Sequence, residues 1–305
     1  MFVEVSPPLR TPHSELRTIS QSTASPRKNG LSMPTVSVII PTRNRHALLA
    51  RALQSVAAQT VAPVQVIVVD DASGDQTALV AGASPGLPLQ YVKLDRPGGG
   101  AVARNRGIAV ATGDFVAFLD DDDCWAPTKL REQVDAMSGS SSILCYTGKR
   151  AMVSGGGRSY YSFKRPRYSD QFTSIMADNY IGITSSVLVR RDALQRIAGF
   201  DEELPAFQDW DVYIRLLSNG AAVGIDRPLV DYDMSDRPGQ VSFDWDRISR
   251  AASMLRTKYA RDPHYRLLRR GLLVICVKKA LKSRRFALGA LKALLEFPGH
   301  RGGKA

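Results

Sequence analysis

The stretch Phe115-Val-Ala-Phe-Leu-Asp-Asp-Asp-Asp-Cys-Trp125 decides the reading of the chain. Its first five residues have the length and composition of a strand buried on both faces, and they run without a break into four aspartates. Three similar runs lie upstream, at 36–40, 64–69 and 89–94, each bounded by Pro, Asp or Gly. The four runs start 28, 25 and 26 residues apart. That spacing leaves room for a helix in each gap, the pattern of βαβ units in an α/β protein with a mostly parallel sheet.

The gaps read as helices. Leu48, Ala52 and Val56 fall at i, i+4 and i+8, with Leu49 and Leu53 beside them, and form a stripe that packs on the sheet. Asp75 starts a short helix. Residues 101–111 form another, with Gly113 as a left-handed cap. Pro127 opens a fourth at its first turn, with Leu130, Val134 and Met137 as the buried face. After Ser138 the rhythm breaks. Residues 154–170 form a long Gly-, Tyr- and Arg-rich loop of the kind that binds or covers ligands. A strand at 186–189 and helices near 192–197 and 207–218 follow, the last stopped by Asn219 and Gly220.

The 305 residues are 44% apolar, 23% charged and 8% aromatic, which excludes collagen-like, coiled-coil and wholly disordered chains. The net charge is +12, unevenly placed. The stretch 264–305 holds eleven Lys or Arg against Glu296, and the first 34 residues carry +2, so 35–263 is near neutral. A basic tail points to an anionic surface, membrane or nucleic acid. Between its basic pairs the tail offers one aromatic, Phe286, too few for base stacking, so no nucleic acid is expected. The three cysteines form no CxxC or Cys/His cluster, which fits a reducing cytoplasm. No apolar run is long enough to cross a bilayer. Residues 1–33 are rich in Ser, Thr and Pro, lack a signal-peptide core, and read as a disordered extension, with Met33 an alternative start.

Ligands bind outside the carboxyl ends of parallel strands. Here those ends carry Pro41, Thr42, Arg43, Asn44 and Arg45 after the first run, Asp70 and Asp71 after the second, and Asp120 to Asp123 after the fourth. Four adjacent carboxylates repel one another unless a positive group holds them. A hard cation such as Mg2+ or Mn2+ suits them, taking one or two carboxylates and completing its shell with phosphate and water. Asp120 and Asp122 alternate and can face one ligand together; an acidic turn capping the next helix is the plainer alternative. Asp71 is either part of a turn or a carboxylate that accepts from a nucleobase N–H. Gly98, Gly99 and Gly100, then Arg104 and Arg106, offer a turn followed by cations on a helix. The run is neither a GxGxxG fingerprint nor a phosphate-loop lysine motif, which argues against a dehydrogenase or a P-loop NTPase. Arg104 and Arg106 lie two apart, so one meets the site and the other solvent. Asp209, in Gln208-Asp-Trp-Asp211, is either a helix cap or a general base.

Taken in order, Val36-Ser-Val-Ile-Ile-Pro-Thr-Arg-Asn-Arg45, Val69-Asp-Asp-Ala-Ser73, Ala103-Arg-Asn-Arg-Gly-Ile108, Phe118-Leu-Asp-Asp-Asp-Asp-Cys-Trp125 and Gly199-Phe-Asp-Glu202 with Gln208-Asp-Trp-Asp211 resemble the family 2 glycosyltransferases of GT-A fold. The match spans about 36–245. The resemblance implies a Rossmann-like, mostly parallel sheet flanked by helices as a catalytic domain over 34–245, followed here by a basic helical extension over 246–305.

It also implies an inverting transfer of a sugar from a nucleotide-diphosphate-sugar donor to a hydroxyl of a saccharide or lipid-linked acceptor, in bacterial surface polysaccharide or envelope glycan synthesis. By the same resemblance Pro41 and Thr42 line the nucleotide pocket, Asp71 contacts the base with Arg104 beside it, and Asp120 lies near the ribose. Asp121 sits between the ends of the DxD motif as a further donor-side residue, Asp122 binds Mg2+ or Mn2+ on the diphosphate, and Asp209 is the catalytic base. Two positions depart from the family. Gln208 stands where Glu is usual, and Tyr232 and Asp233 stand where Tyr–Arg is common, so a cation there is lost or supplied by Arg237. These departures leave room for a catalytically idle sugar-nucleotide binding module. The tail, 264–297, admits two readings. Tyr265, Leu268, Leu272, Ile275 and Cys276 share one helical face, which either packs on the catalytic domain or anchors a cytoplasmic enzyme on the inner face of an anionic membrane, with a second apolar stretch at 286–295.

Overall fold

The structure is a computed structural model that describes residues 33–82, 86–152, 159–234 and 244–282. The four apolar runs form β1 (Val36–Thr42), β2 (Gln65–Asp70), β3 (Leu89–Lys93) and β4 (Phe115–Phe118). They pair in parallel in the order β3-β2-β1-β4. Between them lie α1 (His46–Ala57), α2 (Thr77–Gly82) and α3 (Gly99–Val110). The sheet continues past β4 through β8 (Val187–Arg190), β6 (Leu144–Met152), β9 (Ala222–Asp233) and β5 (Cys124–Trp125), with β7 (Ser159–Ser162) beside β6. In this second half β8 is antiparallel to β4 and to β6, whereas β9 runs parallel to β6.

Strand alternation divides the core between the two faces of the sheet. Val36, Val38 and Ile40 of β1 pack with Leu49, Ala52, Leu53 and Val56 of α1 and with Leu130, Val134 and Met137 of α4 (Lys129–Ser138). Ile39 of β1 joins Ile67, Val69 and α3 on the other face. That face also carries α5 (Gln171–Ala177), α6 (Arg191–Arg196), α7 (Gln208–Leu217), α8 (Trp245–Lys258) and α9 (Tyr265–Lys282). The buried stripe of α1 is centred on Leu49 and Leu53, with Leu48 only half-buried.

Gly113 is not the left-handed cap of α3. The helix ends at Ala111 in extended backbone. Gly113 is required by close approach instead, because a Cβ there would stand 2.6 Å from the Ser37 amide nitrogen of β1. Pro127 lies two residues ahead of α4, whose cap position is Thr128.

Both C-terminal helices are part of the main core. Ile248, Ala251, Ala252 and Leu255 of α8, and Leu268, Leu272 and Cys276 of α9, are buried with the residues of α5 and α7. Gly271 lets α9 come close, since a Cβ there would meet the Ala177 carbonyl oxygen of α5 at 2.4 Å and the Trp210 ring of α7 at 3.1 Å. The apolar face of the tail helix thus packs on the catalytic domain through 276, with Tyr265 and Ile275 half-buried at its margins. The apolar stretch 286–295 and the loop residues 154–158 lie outside the described residues. Among the described residues no helix is long and apolar enough to cross a membrane.

Candidate active site

The carboxyl ends of β1, β2 and β4 open onto one cleft of about 1120 Å3, which Pro41, Thr42, Asp71, Arg104, Asp120, Asp121, Asp122 and Asp209 all line. These eight residues, assigned to the site from the sequence, therefore reach the same cavity. Its volume exceeds the ordinary small-molecule range of about 300–1,000 Å3, enough for two substrates side by side.

The aspartates after β4 are held apart by dedicated partners. Asp120 pairs with Arg104 Nη2 at 2.5 Å and accepts from the Thr184 hydroxyl at 3.0 Å. Asp121 turns back toward β1, where Thr42 Oγ1 donates to it at 2.8 Å and Arg45 Nη1 approaches at 3.2 Å. Burial pushes the Asp121 carboxyl up, opposed by Arg45 and the Thr42 hydroxyl. Asp122 faces the cleft and meets the same Arg45 at 3.3 Å. Asp123 is buried and receives the Asp233 amide at 3.2 Å, which ties the end of β9 to the aspartate turn. Burial, reinforced by Asp120, pushes its carboxyl well up.

Asp71 accepts from the amides of Gly98 at 2.6 Å and Gly99 at 3.1 Å. Its carboxylate thus caps the N-terminus of α3 from a neighbouring strand end, where the helix dipole favours negative charge. Asp70 is a turn residue, accepting from the Ser73 amide at 2.7 Å and from the Tyr91 hydroxyl. Arg104 faces the cleft and Arg106 faces solvent.

Asp209 is the second residue of α7, behind Phe207, which occupies the cap position with φ +58°. A bulky residue in that region is uncommon and marks a backbone fixed by its surroundings. Asn179 Nδ2 donates to Asp209 Oδ2 at 3.1 Å. Burial raises the Asp209 carboxyl, opposed by the Trp210 amide, Arg104 and Lys149. Asp211 is structural: it is buried and holds Arg215 at 2.7 Å, Lys258 at 2.8 Å and the Tyr259 hydroxyl at 2.8 Å, locking α8 to the catalytic helix.

Several residues around the site are assigned no role by the sequence. Asn105 of α3 donates to the Phe200 carbonyl at 2.9 Å and accepts from its amide at 2.7 Å, fastening the loop before α7 to α3. Lys149 of β6 lies 4.8 Å from the Tyr232 ring centroid. Arg247 and Arg250 of α8 and Lys279 of α9 line the cleft. Cations thus reach the cleft that Tyr232 and Asp233 also line from the C-terminal helices; Arg237 lies outside the described residues.

Among the described residues no group of three metal-ligating side chains forms a closed metal site. The donor chemistry still fits a hard cation, because Asp122 offers one carboxylate to the cleft and such ions complete their shell with phosphate and water.

The model of glycosyl transferase family 2 matches residues 37–198, the segment from β1 to the end of α6. The chain belongs to that family. It is a glycosyltransferase of GT-A fold, and some of its curated relatives are named for polysaccharide biosynthesis. The amylovoran biosynthesis glycosyltransferase AmsB of Erwinia amylovora is 31% identical over 214 residues, 67% of this chain and 71% of that one. The putative teichuronic acid biosynthesis glycosyltransferase TuaG of Bacillus subtilis is 30% identical over 205 residues, 65% and 79%. Among solved structures, S. aureus TarS 1–349 superposes with a TM-score of 0.65 at 20% identity in its complex with UDP-GlcNAc, covering 86% of this chain and 80% of that one. The mannosyltransferase PcManGT from Pyrobaculum calidifontis, in complex with GDP-Man and Mn2+, gives 0.60 at 22%, covering 87% and 75%.

Proposed function

We propose that this glycosyltransferase moves a sugar, with inversion at the anomeric carbon, from a nucleotide-diphosphate-sugar to a hydroxyl of a saccharide or lipid-linked acceptor in surface polysaccharide synthesis. The convergence of Asp71, Arg104, Asp120, Asp122 and Asp209 on one cleft carries this reading. The ligands of the two structural neighbours and the polysaccharides named for the relatives support it.

The nucleotide lies along Pro41, Thr42 and Asp71 at the ends of β1 and β2. Arg104, held by Asp120, presents positive charge to the donor. Asp122 would hold Mg2+ or Mn2+, which neutralises charge growing on the departing diphosphate. Asp209 takes the proton of the acceptor hydroxyl as its oxygen forms the new bond to the anomeric carbon. The bond to the diphosphate oxygen breaks on the opposite face, so a single displacement requires no nucleophilic side chain. Asn179 fixes the orientation of the base, and burial keeps its proton affinity above that of a solvated aspartate.

The anionic-surface partner is reached through charge. Arg266, Arg270 and Lys278 lie exposed along α9 at four- and eight-residue steps, and the apolar face opposite them is occupied by the core. Such a stripe holds a cytoplasmic enzyme against the headgroups of an inner leaflet.

The test is a donor screen by thermal shift with Mn2+ over UDP-, GDP- and dTDP-sugars, followed by transfer or donor hydrolysis with the best binder. Donor binding without either reaction identifies an idle binding module. No stabilisation by any nucleotide sugar sinks the proposal.

A further inference from the structure

A second cavity of about 130 Å3 adjoins the active site and shares Asn179 with the main cleft. Two lysines, Lys149 and Lys164, line it, and among the described residues no Asp or Glu does. Lys164 is spoken for by Asp178 at 2.6 Å on the exposed rim. Lys149 makes no ion pair within 4 Å and no hydrogen bond among the described residues; its ammonium rests against the Tyr232 ring, with Asp123 and Asp209 near enough to favour its charge. Two more polar groups of the lining are unsatisfied. The hydroxyls of Thr147 and Tyr180 are buried without a hydrogen-bond partner, in residues only 3% and 4% exposed.

The two hydroxyls are sealed even from a water molecule, so an occupant of the cavity meets the half-buried Lys149 ammonium. An ammonium that donates and carries charge, on a wall with a second lysine, asks for an acceptor-rich, negatively charged group. Through Asn179 the cavity lies on the Asp209 side of the cleft, where the attacking hydroxyl must sit. The volume suits one carboxylate or one phosphate group, given that a water takes about 30 Å3.

We infer that this cavity is an acceptor subsite for an anionic oxygen group, a carboxylate or phosphomonoester on the acceptor sugar, held by Lys149. The inference rests on the assignment of Asp209 to the acceptor side. It makes the enzyme selective for an acidic sugar at the growing end.

The test uses the full chain with UDP and Mn2+ in phosphate-free buffer. Methyl glucuronide, galacturonide and mannuronide, and the 6-phosphates of the methyl hexosides, are titrated by calorimetry against their neutral counterparts. At least one anionic glycoside is expected to bind 10-fold or more tighter than its neutral partner; the uronide and phosphate arms tell which group the site takes. Lys149→Met is expected to erase that preference while UDP affinity holds. No anionic member exceeding its neutral partner by threefold, or a preference that survives Lys149→Met, overturns the inference. If UDP binds in that case, only the subsite fails. If UDP does not bind the wild type, the reading of the main cleft fails, and this inference with it.

Discussion

Asn179 grips Asp209 with a side chain that is itself immobilised: its Nδ2 donates to Asp209 at 3.1 Å and to the Gly182 carbonyl at 3.2 Å, and its Oδ1 accepts from the Gly182 amide at 3.0 Å. The proposed base is thereby aimed by a turn on a separate segment of the chain, and small errors in its placement are expected to cost rate rather than binding.

Asp209→Asn keeps the shape of the base and removes its ability to take a proton. A fall in kcat of roughly 10²-fold or more is expected, with donor affinity little changed. Asn179→Ala is expected to lower kcat by a smaller factor without altering UDP affinity. Because burial raises the Asp209 carboxyl, kcat/KM should climb with pH through an apparent pKa above the usual carboxylate range before levelling. Loss of donor affinity with kcat intact in Asp209→Asn would make this residue a helix-terminal support instead.

Asp122→Asn removes the carboxylate offered to the cation and also releases Arg45 from one of its two partners. Transfer should fall by at least ~2–4 kcal/mol of transition-state stabilisation, and the Mn2+-dependent part of donor binding should disappear while circular dichroism is unchanged. Full activity of the wild type in EDTA would refute the metal role.

Lys129 is entirely buried, donates to Gln133 at 2.6 Å and sits 4.1 Å from the Trp125 ring centroid. Burial pushes its pKa down from 10.5 to about 7. The unfolded chain therefore binds more protons between those values, so stability rises with pH across that window and the penalty is fully present below it. Relative to wild type, Lys129→Met should gain stability at pH 6 by up to about 3–5 kcal/mol, less about 1–2 kcal/mol for the stranded Gln133 oxygen. The advantage should shrink toward pH 10. Urea unfolding of both proteins at the two pH values gives the comparison; a constant difference would contradict the assignment.

Charge reversal of Arg266, Arg270 and Lys278 tests the surface stripe without disturbing Leu268, Leu272 and Cys276. Truncation before α9 would instead strip these three from the core. Co-sedimentation with anionic vesicles at low salt should be strong for wild type, weaker for the triple variant, and lost for both at high salt. Equal partitioning of the two proteins would leave α9 as a packing element alone.

The catalytic half of the molecule was legible because its signals are local. The 25- to 28-residue spacing of apolar runs forces parallel β1 to β4, and parallel strands gather their carboxyl ends on one edge. The motifs at Thr42, Asp71 and Asp120 could therefore be assigned to one cleft from the spacing, and the family resemblance adds Asp209. Local patterning misjudged Gly113 because its need for glycine comes from Ser37, 76 residues away.

The order of strands after β4, the burial of α8 and α9 under the catalytic helix, and the grip of Asn179 on Asp209 were decided only by tertiary structure. So was the placing of Lys149 at the second cavity. A lysine on an exposed strand and a lysine beside a buried aspartate read alike in sequence. Periodicity reports which face a residue takes within its own element, whereas charge and hydrogen-bond satisfaction depend on which distant element comes to lie against it.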